Sequence, residues 1–175
     1  MTRRPTAVLA IVLLLALAGC GFHLRDALLL PTDLGPLRVE ARDPHSELAR
    51  DLEQALARAG AQVVPIGTAA TEGEYAALHI VGERWGDTPI SIDQFGRSQE
   101  FTLRYAVIFS VQHADGSDLV PQQAIELARD YVSVPTRSIG TEGEREILER
   151  EMRREMVTSI LRRIDAVSRL VRESP

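Results

Sequence analysis

Hydrophobic and polar positions alternate most cleanly between Ser98 and His113. Phe101, Leu103, Tyr105, Val107, Phe109 and Val111 fall on one side of an extended chain; Glu100, Thr102, Arg104, Ala106, Ile108 and Ser110 fall on the other. A period of two sends successive side chains to opposite faces, so this stretch predicts a strand with one buried face. Asp115-Gly116 supplies a tight turn, and Gln122 to Val134 returns as the antiparallel partner. Upstream, Leu37, Val39 and Ala41 alternate with Arg38, Glu40 and Arg42 and predict a short half-buried strand. Ala77 to Trp85 predicts a further strand, and Gln62 to Ile66 a short one. Thr68 to Tyr75 reads as a polar loop. Gly86 to Gly96, which contains Pro89, reads as a turn region between strands.

Two stretches change to the helical period. Asp43 is expected to cap the first, with Pro44 at its first position, where a missing N–H is harmless. Leu48, Leu52, Ala55, Leu56 and Ala59 then recur at helical spacing, and Gly60 ends the run. Pro135 to Gly140 reads as a loop. Thr141 and Glu144 form a capping box for a long second helix that reaches about Arg172. Leu148, Met152, Met156, Ile160, Ile164, Val167 and Val171 mark its apolar stripe. Glu146–Arg150 and Glu149–Arg153 are favourable i,i+4 pairs, and its acidic start and basic end complement the helix dipole. The order β-α-(β)-β-β-β-α predicts the α+β class: a two-layer sandwich, with two helices packed on one face of a small mixed, largely antiparallel sheet.

The first twenty residues, MTRRPTAVLAIVLLLALAGC, follow neither pattern. Arg3 and Arg4 precede an uncharged apolar run from Ala7 to Ala18. That run is short for a membrane span, which needs about 20 apolar residues, and fits a secretory leader. It ends in Leu17-Ala18-Gly19-Cys20, which resembles the bacterial lipobox. In that pathway the cysteine sulfur takes a diacylglycerol, the chain is cut before Cys20 and the new amino terminus is N-acylated. Each buried methylene contributes about 0.8 kcal/mol, so several acyl chains tether the chain without spanning the membrane. Gly21, in place of the Asp that retains enterobacterial lipoproteins at the inner membrane, is compatible with outer-membrane sorting. The expected division is a signal peptide over 1–19, a lipidated tether over 20–36, a domain over 37–172 and a tail over 173–175.

Composition narrows the function. All 20 basic residues are arginine, and there is no lysine or asparagine. Cutting before Cys20 removes 19 of 175 residues, leaving 156, and takes away Arg3 and Arg4 but no acid, so the net charge moves from −5 to −7. An acidic chain is a poor nucleic-acid binder. The single cysteine excludes an internal disulfide, a cysteine zinc cluster and a redox pair. No GxSxG, HExxH, GxxxxGK[ST] or GxGxxG motif is present, and His23, His45, His79 and His113 are scattered. Glu142, Glu144, Glu146, Glu149 and Glu151 interleave with arginines and read as a solvated helix face. Catalytic and metal-binding residues are therefore expected to be absent, and a binding or assembly role is favoured.

After the lipidated cysteine the chain reads Cys20-Gly21-Phe22-His23-Leu24-Arg25. This resembles the start of the LPS-assembly lipoprotein family, LptE. Further similarities follow in order: Asp43-Pro44 with Leu48-Ala49-Arg50; Gly96-Arg97 with Glu100-Phe101; Asp130-Tyr131; and Glu144 to Met152. The resemblance implies two helices against a small mixed sheet. It also implies a heterodimer with an LptD-like outer-membrane β-barrel, whose lumen the domain plugs from the periplasmic side, and lipopolysaccharide binding during transport to the outer leaflet. The membrane is reached through the lipid on Cys20, no cofactor is needed and no bond is made or broken. Arginine grips phosphate through a planar fork, so Arg97 and Arg137, in the loops near which the family carries basic residues, are the candidate lipopolysaccharide contacts. Glu100, Arg104 and the helix exteriors are all open to the barrel. The competing readings are an accessory lipoprotein of an ABC-type lipid transport system and a lipid-anchored envelope enzyme.

Overall fold

Strand β4, Ser98–Gln112, forms the spine of a five-stranded sheet. The computed structural model describes residues 34–65, 67–68, 73–92, 94, 96, 98–132 and 138–173. Beside β4 lie β3, Ala76–Ile92, and β5, Asp118–Val132, both antiparallel to it. β1, Pro36–Ala41, adds parallel to β3, and β2, Gln62–Val63, adds parallel to β1. The order β2-β1-β3-β4-β5 is thus mixed and mainly antiparallel. Helices α1, Glu47–Arg58, and α2, Ser138–Glu173, cover one face, as expected of a two-layer α+β sandwich.

The alternation in β4 is cashed out in burial. Leu103, Tyr105, Val107, Phe109 and Val111 have no exposed surface, whereas Glu100, Arg104 and Ile108 are exposed. They meet Leu48, Leu52 and Leu56 of α1 and Met152, Met156, Ile160 and Ile164 of α2 in one core, joined by Leu34, Leu37 and Val39. Burying a side chain of this size contributes about 1.5–3 kcal/mol, so this single core is the main source of stability.

Several local expectations change. Ser46 caps α1, not Asp43: its Oγ accepts from Ala49 N at 3.1 Å. Asp43 closes the preceding turn, its Oδ1 accepting from His45 N, so Pro44 lies before the helix and not at its first position. The supposed turn over Gly86–Gly96 is largely strand, since β3 continues to Ile92 opposite β4. Beyond Ile80, β3 has a strand partner on one side only, and an edge tolerates the missing N–H of Pro89. Likewise β5 starts at Asp118 and passes through Pro121, because it too is an edge strand.

α2 begins at Ser138, so Thr141 lies inside the helix and cannot cap it; no proline after Pro135 bars the earlier start. Its first turn carries no acid, so the acidic residues start one turn in. Glu146–Arg150 forms at 3.2 Å. Glu149–Arg153 does not: Glu149 pairs with Arg145 at 2.6 Å, and Arg153 reaches across to Glu47 of α1. Arg153, with its side chain only 13% exposed, is engaged by the neighbouring helix and leaves Glu149 to Arg145.

Candidate functional site

The register brings two connections to one end of the sheet. Ile92 pairs with Ser98, and Glu100 pairs with Val132, so the β3–β4 hairpin and the segment leading into α2 leave the sheet side by side. Arg97 directly precedes Ser98 and Arg137 directly precedes Ser138. Both arginines, like Cys20, lie outside the described residues. What the structure places are the strand and helix ends that flank the two arginines in sequence.

That frame is built from paired side chains. Tyr131 of β5 donates its hydroxyl to Asp87 of β3 at 3.0 Å, and Arg145 of α2 donates to the other oxygen of Asp87, also at 3.0 Å. Arg145 holds Glu149 as well. One guanidinium thereby ties helix to strand through Asp87 and is held on its own helix by Glu149, using its planar fork. Partial burial and the Asp87 carboxylate push the Tyr131 phenol up, partly opposed by Arg145. Burial works against the Arg145 charge, but Asp87 and Glu149 outweigh it and raise its pKa. Phe101 stacks on Tyr131 with centroids 5.6 Å apart. Further in, Trp85 stacks on Tyr105 at 3.8 Å, and Tyr105 donates to Glu83 at 2.8 Å. Burial, reinforced by Glu83, drives the Tyr105 phenol strongly upward.

Four apolar side chains stay exposed around this end: Ile90, Ile92 and Val132 on the strands and Ile147 early on α2. Ile92 is 70% exposed, the most of any large apolar residue described. Paired side chains and uncovered apolar groups thus lie toward the same end of the sheet, an arrangement suited to contact with another molecule.

The sheet face away from the helices is mainly polar, with Ile108 exposed among the polar groups. Arg104 pairs with Glu126 at 2.7 Å, Thr102 donates to Asp130 at 2.7 Å, and Ala106, Ala124 and Ala128 lie between them. Small side chains and matched charges leave a flat, wettable surface. His79 bridges Glu40, at 3.3 Å, and Gln112, at 3.2 Å. Among the described residues no group of three His, Cys, Asp or Glu side chains could hold a metal ion. Nor is any helix among them long and apolar enough to cross a membrane.

The sequence reading passed over a second collection of arginines, on α1 and α2. They looked like solvated helix faces, and only the packing of the helices shows that they line one groove. The available signal was the spacing: Arg50 and Arg58, and Arg150 and Arg154, each repeat along one side of their helix.

Residues 34–164 match the protein-family model "LptE: Lipopolysaccharide-assembly". The chain is similar to the LPS-assembly lipoprotein LptE of Yersinia pestis, with 30% identity over 164 residues, covering 94% of this chain and 77% of that one. It is 27% identical to the protein of that name from Photorhabdus laumondii, covering 94% of this chain and 87% of that one. Among solved structures, lipoprotein B from Nitrosomonas europaea superimposes with a TM-score of 0.68 and 26% identity, covering 85% of this chain and 92% of that one. The rare lipoprotein B from Shewanella oneidensis shares the fold with a TM-score of 0.67 and 22% identity, covering 79% of this chain and all of that one.

Proposed function

From the premise that the chain belongs to the LptE family, we propose that it is an outer-membrane lipoprotein that plugs an LptD-like β-barrel from the periplasmic side, helps that barrel assemble and binds lipopolysaccharide on its way to the outer leaflet. The observation that carries this reading is the family match across residues 34–164, joined to the Cys20–Arg25 start. The role is one of assembly and binding, without catalysis.

Physical features support it. A barrel lumen is polar, because lumen-facing and lipid-facing residues alternate along its strands. A plug therefore needs a core of its own and a polar exterior. The core here closes between the helices and one sheet face, and the other face presents Arg104, Glu126, Thr102 and Asp130. Residues 1–19 are the signal peptide, 20–36 the tether, 37–172 the domain and 173–175 the tail. Cys20 carries the diacylglycerol and N-acyl chains that hold the protein at the membrane. Arg97 and Arg137, which in sequence directly precede β4 and α2, grip lipopolysaccharide phosphates.

Co-purification from detergent-solubilised outer membranes tests this reading. A stoichiometric complex with a large β-barrel is expected. Recovery with an inner-membrane ABC permease, or of the chain without a barrel, would overturn it.

A further inference from the structure

β1 ends at Ala41, opposite Ile80, while β3 runs on to Ile92. Five of the 17 residues of β3 lie beside β1, which leaves twelve, Val81–Ile92, with β4 on one side and no strand on the other among the described residues. At about 3.3 Å per residue this open row is about 40 Å long. It begins at a notch of about 330 Å³, where the chain turns away from the sheet through Arg42, Asp43 and Ser46 and leaves Val81 exposed and Trp85 half-buried.

Pro89 fixes which backbone groups face the open row. Pairing with β4 is unbroken from Gly82, opposite Ile108, to Pro89, opposite Phe101. Successive residues of such a ladder turn their backbone groups to alternate sides, and a proline fits only where its missing N–H would point away from the partner strand. Glu83, Trp85 and Asp87 share the phase of Pro89, so each turns an N–H and a C=O toward the open row. Among the described residues no backbone group bonds to them from that side. Register shifts at Val81 and Ile90 bound this regular stretch.

A row of alternating donors and acceptors matches another extended backbone; a helix already bonds within itself. A second copy of this chain is a poor match. Self-pairing centred on Trp85 sets Glu83 against Asp87, and centred on Asp87 it sets that acid against its own counterpart. Like charges directly opposite each other destabilise a strand pair. Centred on Gly86, self-pairing sets Glu83 against Pro89, which has no N–H to give.

A barrel strand fits better. It takes about 9–11 residues to span a membrane, a length the twelve-residue row accommodates. It alternates apolar and polar side chains, and the row offers neighbours of both kinds: Val81 and Ile90, each 51% exposed, with Trp85, and Arg84 with Thr88. A closed barrel has no free edge, whereas an unclosed one exposes the edges of its first and last strands. We propose that the Val81–Ile92 edge of β3 pairs with an edge strand of the unclosed barrel and releases it when the barrel's own strands meet. The inference rests on the barrel-assembly reading above and gives it a physical step, since an uncovered strand edge is a template for aggregation.

The test follows the full lipidated chain in cells that make its barrel partner, with a photoreactive residue at Arg84 or Thr88 beside the row, or at Gln122 on the β5 edge. Pulse-labelled barrel protein is expected to crosslink to both β3 positions while immature and to lose those adducts as it matures, with little early adduct at Gln122. Glu83→Ala gives up the Tyr105 bond but keeps the backbone donor, whereas Glu83→Pro removes both. The proline variant should show about tenfold less early adduct than the alanine variant, because one backbone bond is lost. Matching melting temperatures show that both are folded, and the time course with Glu83 intact decides the question if the proline variant is not. The edge assignment fails, and the wider reading stands, if a barrel co-purifies but the β3 probes miss it early or label it equally at every stage. It also fails if the probes capture a second copy of this chain, if Gln122 labels as well as they do, or if the two folded Glu83 variants behave alike. If no barrel is recovered, both readings fall.

Discussion

Arg153 of α2 and Glu47 of α1 join the two helices, Nη1 to Oε2 at 2.6 Å, yet they stand in different surroundings: the Arg153 side chain is 13% exposed and that of Glu47 is 61% exposed. The Arg153 stem is packed between the helices, and its Nε is buried without a hydrogen-bond partner. The pair should therefore respond asymmetrically. Arg153→Ala removes packing as well as charge and is expected to cost about 1–3 kcal/mol. Arg153→Met keeps the stem and should recover most of that. Glu47→Ala should cost less than about 1 kcal/mol, because an ion pair with one exposed partner is largely screened. Urea unfolding of the three variants checks the order; equal losses for Glu47→Ala and Arg153→Ala would contradict it.

Alkaline stability isolates the phenols bonded to carboxylates. The chain has three tyrosines and no lysine, so few other groups titrate just above pH 9. Tyr105 and Tyr131 are raised in the folded state above the ordinary value of 10.0. Their contribution is fully present below pH 10 and is lost as the pH climbs toward the folded values, because the unfolded phenols ionise first. Tyr105→Phe should lower stability near pH 7 by about 0.5–1.5 kcal/mol through the lost Glu83 bond. The same variant should also flatten the fall between pH 10 and 11.5. Melting temperatures across that range, with parallel slopes for wild type and variant, would refute the assignment.

Acid stability has a separate contributor in the β4–β5 turn. Ser117 donates from its hydroxyl and its backbone N–H to Asp115 and holds that carboxyl below its ordinary 3.8. This contribution is present above pH 3.8 and disappears as the pH falls through the folded value. Asp115→Asn should lower the melting temperature at pH 7, and the gap from wild type should close under strongly acidic conditions. A gap that persists there would assign the effect to turn geometry alone.

Gly60 ends α1 with φ of 89°, a region that costs an L-residue about 1–2 kcal/mol. Nothing lies within 4 Å of a Cβ placed there, so Gly60→Ala isolates the backbone term. A loss of about 1 kcal/mol is expected in thermal or urea unfolding.

Two variants test the residues that precede the described frame. Cys20→Ser, exported by a substitute signal peptide, should move the chain from membrane to soluble periplasm in a barrel-depleted strain; membrane retention there would argue against lipidation. Arg97→Glu with Arg137→Glu should weaken lipopolysaccharide binding at least about tenfold, as two charge-assisted contacts become repulsive. Undiminished binding by the folded double variant would remove these two residues from the site.

The legible parts of this fold are those where one face is buried and the other is wet. β4 could be read residue by residue, and so could the Leu48–Leu52–Leu56 stripe of α1, because burial imposes a period on the sequence. β3 misled where Gly86 and Pro89 looked like breakers: a strand paired on one side tolerates them, and pairing is not a local property. The partner of Arg153 was hidden for the same reason, since spacing along α2 cannot show which side chain α1 will present. Arg97 and Arg137 came from family resemblance, whereas the groove arginines required the helices to be set side by side.

The length of β3 has a consequence for reach. Seventeen residues at about 3.3 Å each make a strand of about 55 Å. The hydrocarbon core of a bilayer is about 30 Å thick. Pro36, through which the chain comes from Cys20, lies at the β3 end marked by Ala76, and Ile92 lies at the other. The sheet is therefore longer than the hydrocarbon layer is thick, and the strand end that follows Cys20 in sequence lies opposite the end that carries Ile92. In the proposed plug arrangement, a sheet of this length would reach across the hydrocarbon layer without its sides meeting lipid.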